Sequence, residues 1–148
     1  MSSYRSIYYH LIFRTKGSLK TLPLAHSQEL YSYIAGFIRN KNCFLYQING
    51  MENHIHIFCD LHPSIALADF IRDMKTASSL WLKKSGNFPD FTGWADGYAA
   101  LTYASKDKTM ITQYIANQRM HHKNESYDDE LRRLLIEQGI EIDERFFP

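Results

Sequence analysis

His54-Ile55-His56 places two imidazoles two residues apart, at the head of an apolar run that continues to Leu61. Side chains alternate faces along an extended strand, so both rings would point the same way from backbones roughly 7 Å apart. That spacing lets both rings reach one metal ion. Ile55, Ile57, Cys59 and Leu61 would fall on the opposite face and enter a core. The strand therefore reads as two-sided, with one face for packing and one for chemistry. A His-hydrophobic-His triplet is a weak signal by itself.

A second group of chemically capable residues lies in Thr109-Met-Ile-Thr-Gln-Tyr114-Ile-Ala-Asn-Gln118-Arg-Met-His121-His122. Residues four apart share a helical face, so Tyr114 and Gln118 project together, with Met110, Asn117 and His121 nearby. Ile111 and Ile115 form an adjoining apolar edge. Tyr often packs half-buried on amphipathic helices, so this pair carries little taken alone. His121 and His122 are expected to be exposed residues at the helix end.

The elements that must position these groups follow from pattern. Ser6–Arg14 is β-branched and aromatic and reads as a strand. Leu24–Arg39 carries Leu30, Ile34, Phe37 and Ile38 at helical spacing. Cys43–Ile48 is a short strand closed by the turn signal Asn49-Gly50, and His54–Leu61 is its hairpin partner. Pro63-Ser64 opens a helix with Ser64 as N-cap. Its apolar stripe is Leu67, Phe70, Ile71, Met74, Ala77 and Trp81. Residues 86–97 read as a structured loop, Tyr98–Ala104 as a fourth strand, and Lys106–Lys123 as a helix. A last helix starts at Ser126, whose spacing to Asp129 resembles a capping box, and Gly139 ends it. The order β-α-β-β-α-β followed by two helices matches an α+β, ferredoxin-like split βαβ pattern with an antiparallel sheet. Such a sheet carries helices on one face. The histidine face needs another cover: a ligand, the C-terminal helices or another subunit.

Size and charge set bounds. The 148 residues suit one domain (residues 1–148), divided into a core over 1–105, a tyrosine helix over 106–125, and a C-terminal helix and tail over 126–148. Two cysteines, Cys43 and Cys59, form no CxxC and no disulfide framework, which favours buried thiols in a reducing compartment. Met1-Ser-Ser-Tyr-Arg5 has no apolar signal run, and no stretch approaches the ~18 apolar residues of a membrane span. The expectation is a cytoplasmic protein without membrane contact. Residues 1–125 hold 14 Lys+Arg against 9 Asp+Glu, whereas residues 126–148 hold 3 against 7. A basic body with an acidic tail permits a polyanion partner without demanding one. Arg14 and Lys16 end the first strand, and Lys75, Lys83 and Lys84 lie on the polar face of the second helix. These five are the candidate phosphate contacts, which give affinity rather than sequence choice. Tyr8, Tyr9 and Trp94 could stack on unpaired bases, although core packing is the commoner use of such rings. His10 could join the site from the neighbouring strand.

Taken in order, a His-hydrophobic-His strand, a helix, a strand, and a helix bearing Tyr with Gln four residues later resemble the single-tyrosine HUH transposases of bacterial insertion sequences. Tyr9-His-Leu-Ile-Phe-Arg-Thr-Lys16 is similar to that family's first strand, and Gly97–Ser105 to the segment before its tyrosine helix. The resemblance spans essentially the whole chain. It implies that His54 and His56 are metal ligands, that Gln118 adds a third through its side-chain oxygen, and that Tyr114 is the nucleophile. It implies a transposase that cuts and rejoins single-stranded DNA through a 5′-phosphotyrosine link, using Mg²⁺ with Mn²⁺ as a substitute. It further implies a hairpin at the element's ends as the DNA partner, and a homodimer in which the tyrosine helix can complete the partner's site. Two other readings stay open: a non-catalytic, domesticated nucleic-acid-binding module on the same fold, and a metal hydrolase in which Tyr114 is structural.

Overall fold

The computed structural model describes residues 3–148. Met1 and Ser2, the first residues of the N-terminal run expected to hold no apolar signal, lie outside the described residues. Four strands form one antiparallel sheet in the order β2-β3-β1-β4: β1 Tyr9–Arg14, β2 Phe44–Gly50, β3 His54–Asp60 and β4 Ala99–Thr102. Helices α1 (Ser27–Asn40) and α2 (Leu67–Ser85) join them in the split βαβ order that the sequence pattern indicates. Three further helices follow β4: α3 Lys108–Ala116, α4 Gln118–His121 and α5 Tyr127–Glu137.

β3 shows why the sheet has two different faces. Ile55, Ile57, Cys59 and Leu61 enter the main core with Leu11 and Phe13 of β1, beneath Leu30, Ile34 and Ile38 of α1 and Phe70, Ile71 and Met74 of α2. The Tyr33 ring stacks on Trp81 at 5.0 Å, pinning α1 to α2. The other face carries His54, His56 and Phe58, opposite Arg14, Ile12 and His10 of β1. It is covered by the C-terminal helices. Phe58 packs with Ile111 and Ile115 of α3, while Ile12, Ala99 and Leu101 meet Tyr127, Leu131, Leu134 and Leu135 of α5. Two small apolar clusters thus wall in the histidines.

Several expected boundaries move, each for a local reason. Asn49-Gly50 ends β2 rather than forming the turn, which is Met51–Asn53, closed by Met51 N–H to the His54 carbonyl at 3.0 Å. Asn49 instead donates its side-chain amide to the Ala116 carbonyl at 3.0 Å, anchoring the end of α3. At Gly50 an added Cβ would lie 2.3 Å from the His54 carbonyl oxygen, so this closeness admits only glycine. α2 begins at Leu67 with Ala66 at its N-cap, because the Ser64 hydroxyl is paired with the His62 ring at 2.7 Å. The helix expected over Lys106–Lys123 breaks at Asn117, whose backbone (φ −97°, ψ 18°) leaves the helical region. Ser126 does cap α5, accepting the Asp129 N–H at 3.2 Å. No described helix is long and apolar enough to cross a membrane.

Candidate active site

β3 delivers His54 and His56 side by side, both fully buried. Their outer nitrogens are engaged first. His54 Nδ1 lies 2.7 Å from Asn53 Oδ1, and since that oxygen can only accept, the ring donates there and its Nε2 keeps a free lone pair. His56 Nδ1 lies 2.7 Å from His10 Nε2, which brings His10 into the network from β1. The inner nitrogens then converge on the C-terminal helices. His56 Nε2 is 2.9 Å from Glu130 Oε1, and His54 Nε2 is 3.5 Å from the same oxygen. His122 Nε2 is 3.2 Å from His54 Nε2, 2.9 Å from Glu130 Oε1 and 3.1 Å from Gln118 Oε1. Ligand-type atoms of His54, His56, His122 and Glu130 all lie within 4.8 Å of one another.

The phenol joins the same carboxylate. Tyr114 donates its hydroxyl proton to Glu130 Oε2, which also accepts from Gln118 Nε2 at 2.9 Å. Arg133 Nη2 donates to the Tyr114 oxygen at 2.8 Å. His121 stacks on the Tyr114 ring with centroids 4.5 Å apart. One chain therefore gathers the two strand imidazoles, Gln118 and the phenol around Glu130.

Burial sets the protonation states. It is the main force holding His54 at about 4, against a weaker opposing pull from Glu130. Burial, and then the His56 charge, also keep His10 well below its ordinary value. For Glu130, burial acts to raise the pKa, but its close contacts with the His122, His54 and His56 rings outweigh it, so the group is a carboxylate. Burial and the neighbouring Glu130 push the Tyr114 phenol up, while Arg133 acts to lower it. Lone pairs from neutral imidazole, carboxylate and amide oxygen thus face one small space. That donor set fits a divalent cation, with mixed nitrogen and oxygen ligands that suit Mn²⁺ and imidazoles that also accept Zn²⁺, Co²⁺ or Ni²⁺.

Two site residues went unrecognised in the sequence. His122 was expected to be exposed, yet its side chain is 6% exposed because it reaches back to His54 on β3. Glu130 was not singled out. The available signal was its place on the apolar stripe Tyr127, Leu131, Leu134, where a carboxylate must be buried.

The candidate phosphate contacts fall in different places. Arg14 lies on the histidine face opposite His54, with Nη1 donating to Ser18 Oγ at 3.0 Å, and the exposed Lys16 follows it. Lys75 sits on the other side of the sheet and donates to the Ala95 and Gly97 carbonyls at 2.9 and 2.6 Å, so it ties the 86–97 loop to α2. Lys83 and Lys84 are exposed at the end of α2. Among the aromatics, Tyr8 packs on Tyr46 and Phe58, Tyr9 against the main core, and Trp94 on Phe13 with its indole N–H on Ser78 Oγ.

Comparison with known proteins supplies independent findings. Residues 3–118 match the family model described as "Transposase IS200 like". No curated protein matches the chain in sequence. Among solved structures, a candidate transposase from Deinococcus radiodurans R1 aligns with a TM-score of 0.58 at 24% identity, over 80% of this chain and 95% of that one. A REP-associated tyrosine transposase bound to a REP hairpin aligns with a TM-score of 0.57 at 15% identity, over 82% of this chain and 74% of that one. At those identities the likeness is one of fold.

Proposed function

Because this chain belongs to the IS200-like transposase family, we propose that it cuts and rejoins single-stranded DNA, with Tyr114 as nucleophile beside a divalent metal ion. The observation that carries this reading is the meeting of the buried His54–His56 pair and the Tyr114 hydroxyl on one carboxylate within a single chain. The Tyr114 oxygen attacks a DNA phosphorus and displaces the 3′-oxygen. A 5′-phosphotyrosine bond forms, and the proton lost by the phenol is balanced by one gained at the free 3′-hydroxyl. Rejoining reverses these bonds on a second strand, so bond energy is conserved without a nucleotide triphosphate.

His54 and His56 would hold the ion through Nε2 and Gln118 through Oε1, with His122 and Glu130 as adjacent donors. When bound, it polarises the phosphate and orients the scissile bond. Mg²⁺ is the expected working ion and Mn²⁺ its substitute. Apolar side chains flank this centre, with Phe58, Ile111 and Ile115 in one cluster and Ile12 and Leu131 in the other. A DNA hairpin is the proposed partner, as in the hairpin-bound structural neighbour. Arg14 and Lys16 would take backbone phosphates from the histidine side, with Lys83 and Lys84 outlying contacts and Lys75 acting through the loop it holds. The working form is a homodimer, and the phenol already lies at its own chain's histidines.

The test is incubation of the protein with Mg²⁺ and single-stranded DNA carrying the palindrome that flanks its coding sequence. A covalent protein–DNA adduct forms, and it disappears in Tyr114→Phe and in His56→Ala. Cleavage that survives Tyr114→Phe would make this a hydrolase. Metal-independent binding without cleavage would make it a binding module.

A further inference from the structure

α5 does more than cover the sheet. We propose that Glu130 and Arg133, one helical turn apart on α5, position the nucleophile by gripping the Tyr114 hydroxyl from two sides, and that Glu130 also sets the orientation of the Gln118 amide. The inference rests on the reading of Tyr114 as nucleophile given above.

A phenol hydroxyl has one proton to give and rotates freely about its C–O bond. Here the proton is directed at Glu130 Oε2, and one oxygen lone pair receives Arg133 Nη2 at 2.8 Å. Both contacts together fix the direction of what remains of the oxygen's electron density. Tyr114 and Arg133 also line an open cleft of about 820 Å³, together with Asn117, His121 and Asn124. The second effect of Glu130 is on Gln118. A side-chain amide can present either its oxygen or its nitrogen to a site, and only the oxygen has a lone pair to offer. Because Gln118 Nε2 donates to Glu130 Oε2 at 2.9 Å, Oε1 is turned towards His122 Nε2 and the imidazoles.

The two gripping groups are themselves held. Glu130 is 1% exposed, on a helix seated by Tyr127, Leu131 and Leu134 against Ile12, Ala99 and Leu101. Arg133 donates to both oxygens of Glu125, at 3.0 and 2.9 Å, and to Glu137 Oε1 at 3.3 Å. A guanidinium anchored this way keeps its planar fork in one orientation. Reacting groups displaced by ~1 Å lose on the order of 10²-fold in rate, and that is the effect assigned to this pair.

The experiment compares Glu130→Ala, Glu130→Gln, Arg133→Met and Arg133→Lys, with Tyr114→Phe and His54→Ala as controls. Adduct formation with the flanking-palindrome oligonucleotide is resolved into kcat and KM. Proton NMR of the metal-free protein follows the Tyr114 hydroxyl proton, which needs no substrate. Expected for Glu130→Ala and Arg133→Met is a ~10²-fold fall in kcat at unchanged KM, with partial recovery in Glu130→Gln and Arg133→Lys. The slowly exchanging hydroxyl signal is lost in Glu130→Ala and returns in Glu130→Gln. Mn²⁺ affinity is unchanged in Arg133→Met. A hydroxyl signal and a kcat that persist in both Glu130→Ala and Arg133→Met overturn the proposal, as does a rise in KM alone. Adduct formation that survives Tyr114→Phe instead overturns the nucleophile reading itself.

Discussion

The two faces of β3 are equally dry and differ in every other respect. Ile55 and Ile57 are 0% exposed, and so are His54 and His56. On the first face burial is non-directional: Ile57 gains from any apolar neighbour, and α1 and α2 supply many. On the second, each ring nitrogen needs a specific partner: Asn53 provides one from the adjacent position, and His10, His122 and Glu130 provide the others from 46, 68 and 74 positions away. The described residues contain three buried side-chain polar atoms without a partner, and two of them, His10 Nδ1 and His121 Nε2, belong to this second side. Burial therefore does not tell the faces apart. Hydrogen-bond connectivity does, and the second side is the one left incompletely satisfied.

That contrast can be broken from either face. Ile57→Ala should cost about 2–5 kcal/mol of stability in urea unfolding, while Mn²⁺ affinity measured on the remaining folded protein stays unchanged. His56→Ala should do the reverse, abolishing Mn²⁺ binding in titration calorimetry with a smaller loss of stability. If both variants lose both properties together, the two faces are one cooperative unit and the distinction fails.

Gly50→Ala sharpens it at the point where the faces share backbone. The new methyl meets the His54 carbonyl, so β2 and β3 must part locally. About 1–3 kcal/mol of destabilisation is expected, along with weaker Mn²⁺ affinity, because His54 moves with its carbonyl. Unchanged affinity would show that the hairpin does not set the ligand's place.

Acid gives a smaller and graded effect, confined to the polar face. His54 titrates at about 4 in the folded protein against an ordinary 6.5. Below pH 6.5 the unfolded chain takes up a proton that the folded chain refuses. Metal-free protein should therefore be most stable above that value and lose stability as pH falls towards 4. The lowered Glu130 carboxyl adds a loss of the same sign below its own ordinary value of 4.5. Urea midpoints measured from pH 7 to 4 with a chelator present check this, and His54→Leu should flatten the upper part of the slope.

Much of this organisation is legible in sequence because it is local. The alternation in His54–Leu61 assigns each residue to its face, and the split βαβ order follows from helical and strand periods. Ser126 and Asp129 announce their cap within four residues. What escapes is long-range or competitive. His122 reads as a solvated helix end because its partner is 68 positions away. Glu130 sits in the first turn of α5, where carboxylates are ordinarily favoured by the helix dipole and exposed, so its type hides its burial. Asn49-Gly50 has the chemistry of a turn, but both residues are put to other uses by α3 and by the His54 carbonyl.

The short stretch Ser105–Asp107 divides the candidate site into two inheritances. Everything before it contributes His10, His54 and His56, and everything after it contributes Tyr114, Gln118, His122 and Glu130. The later groups are bonded to one another through Glu130, so they arrive as a set.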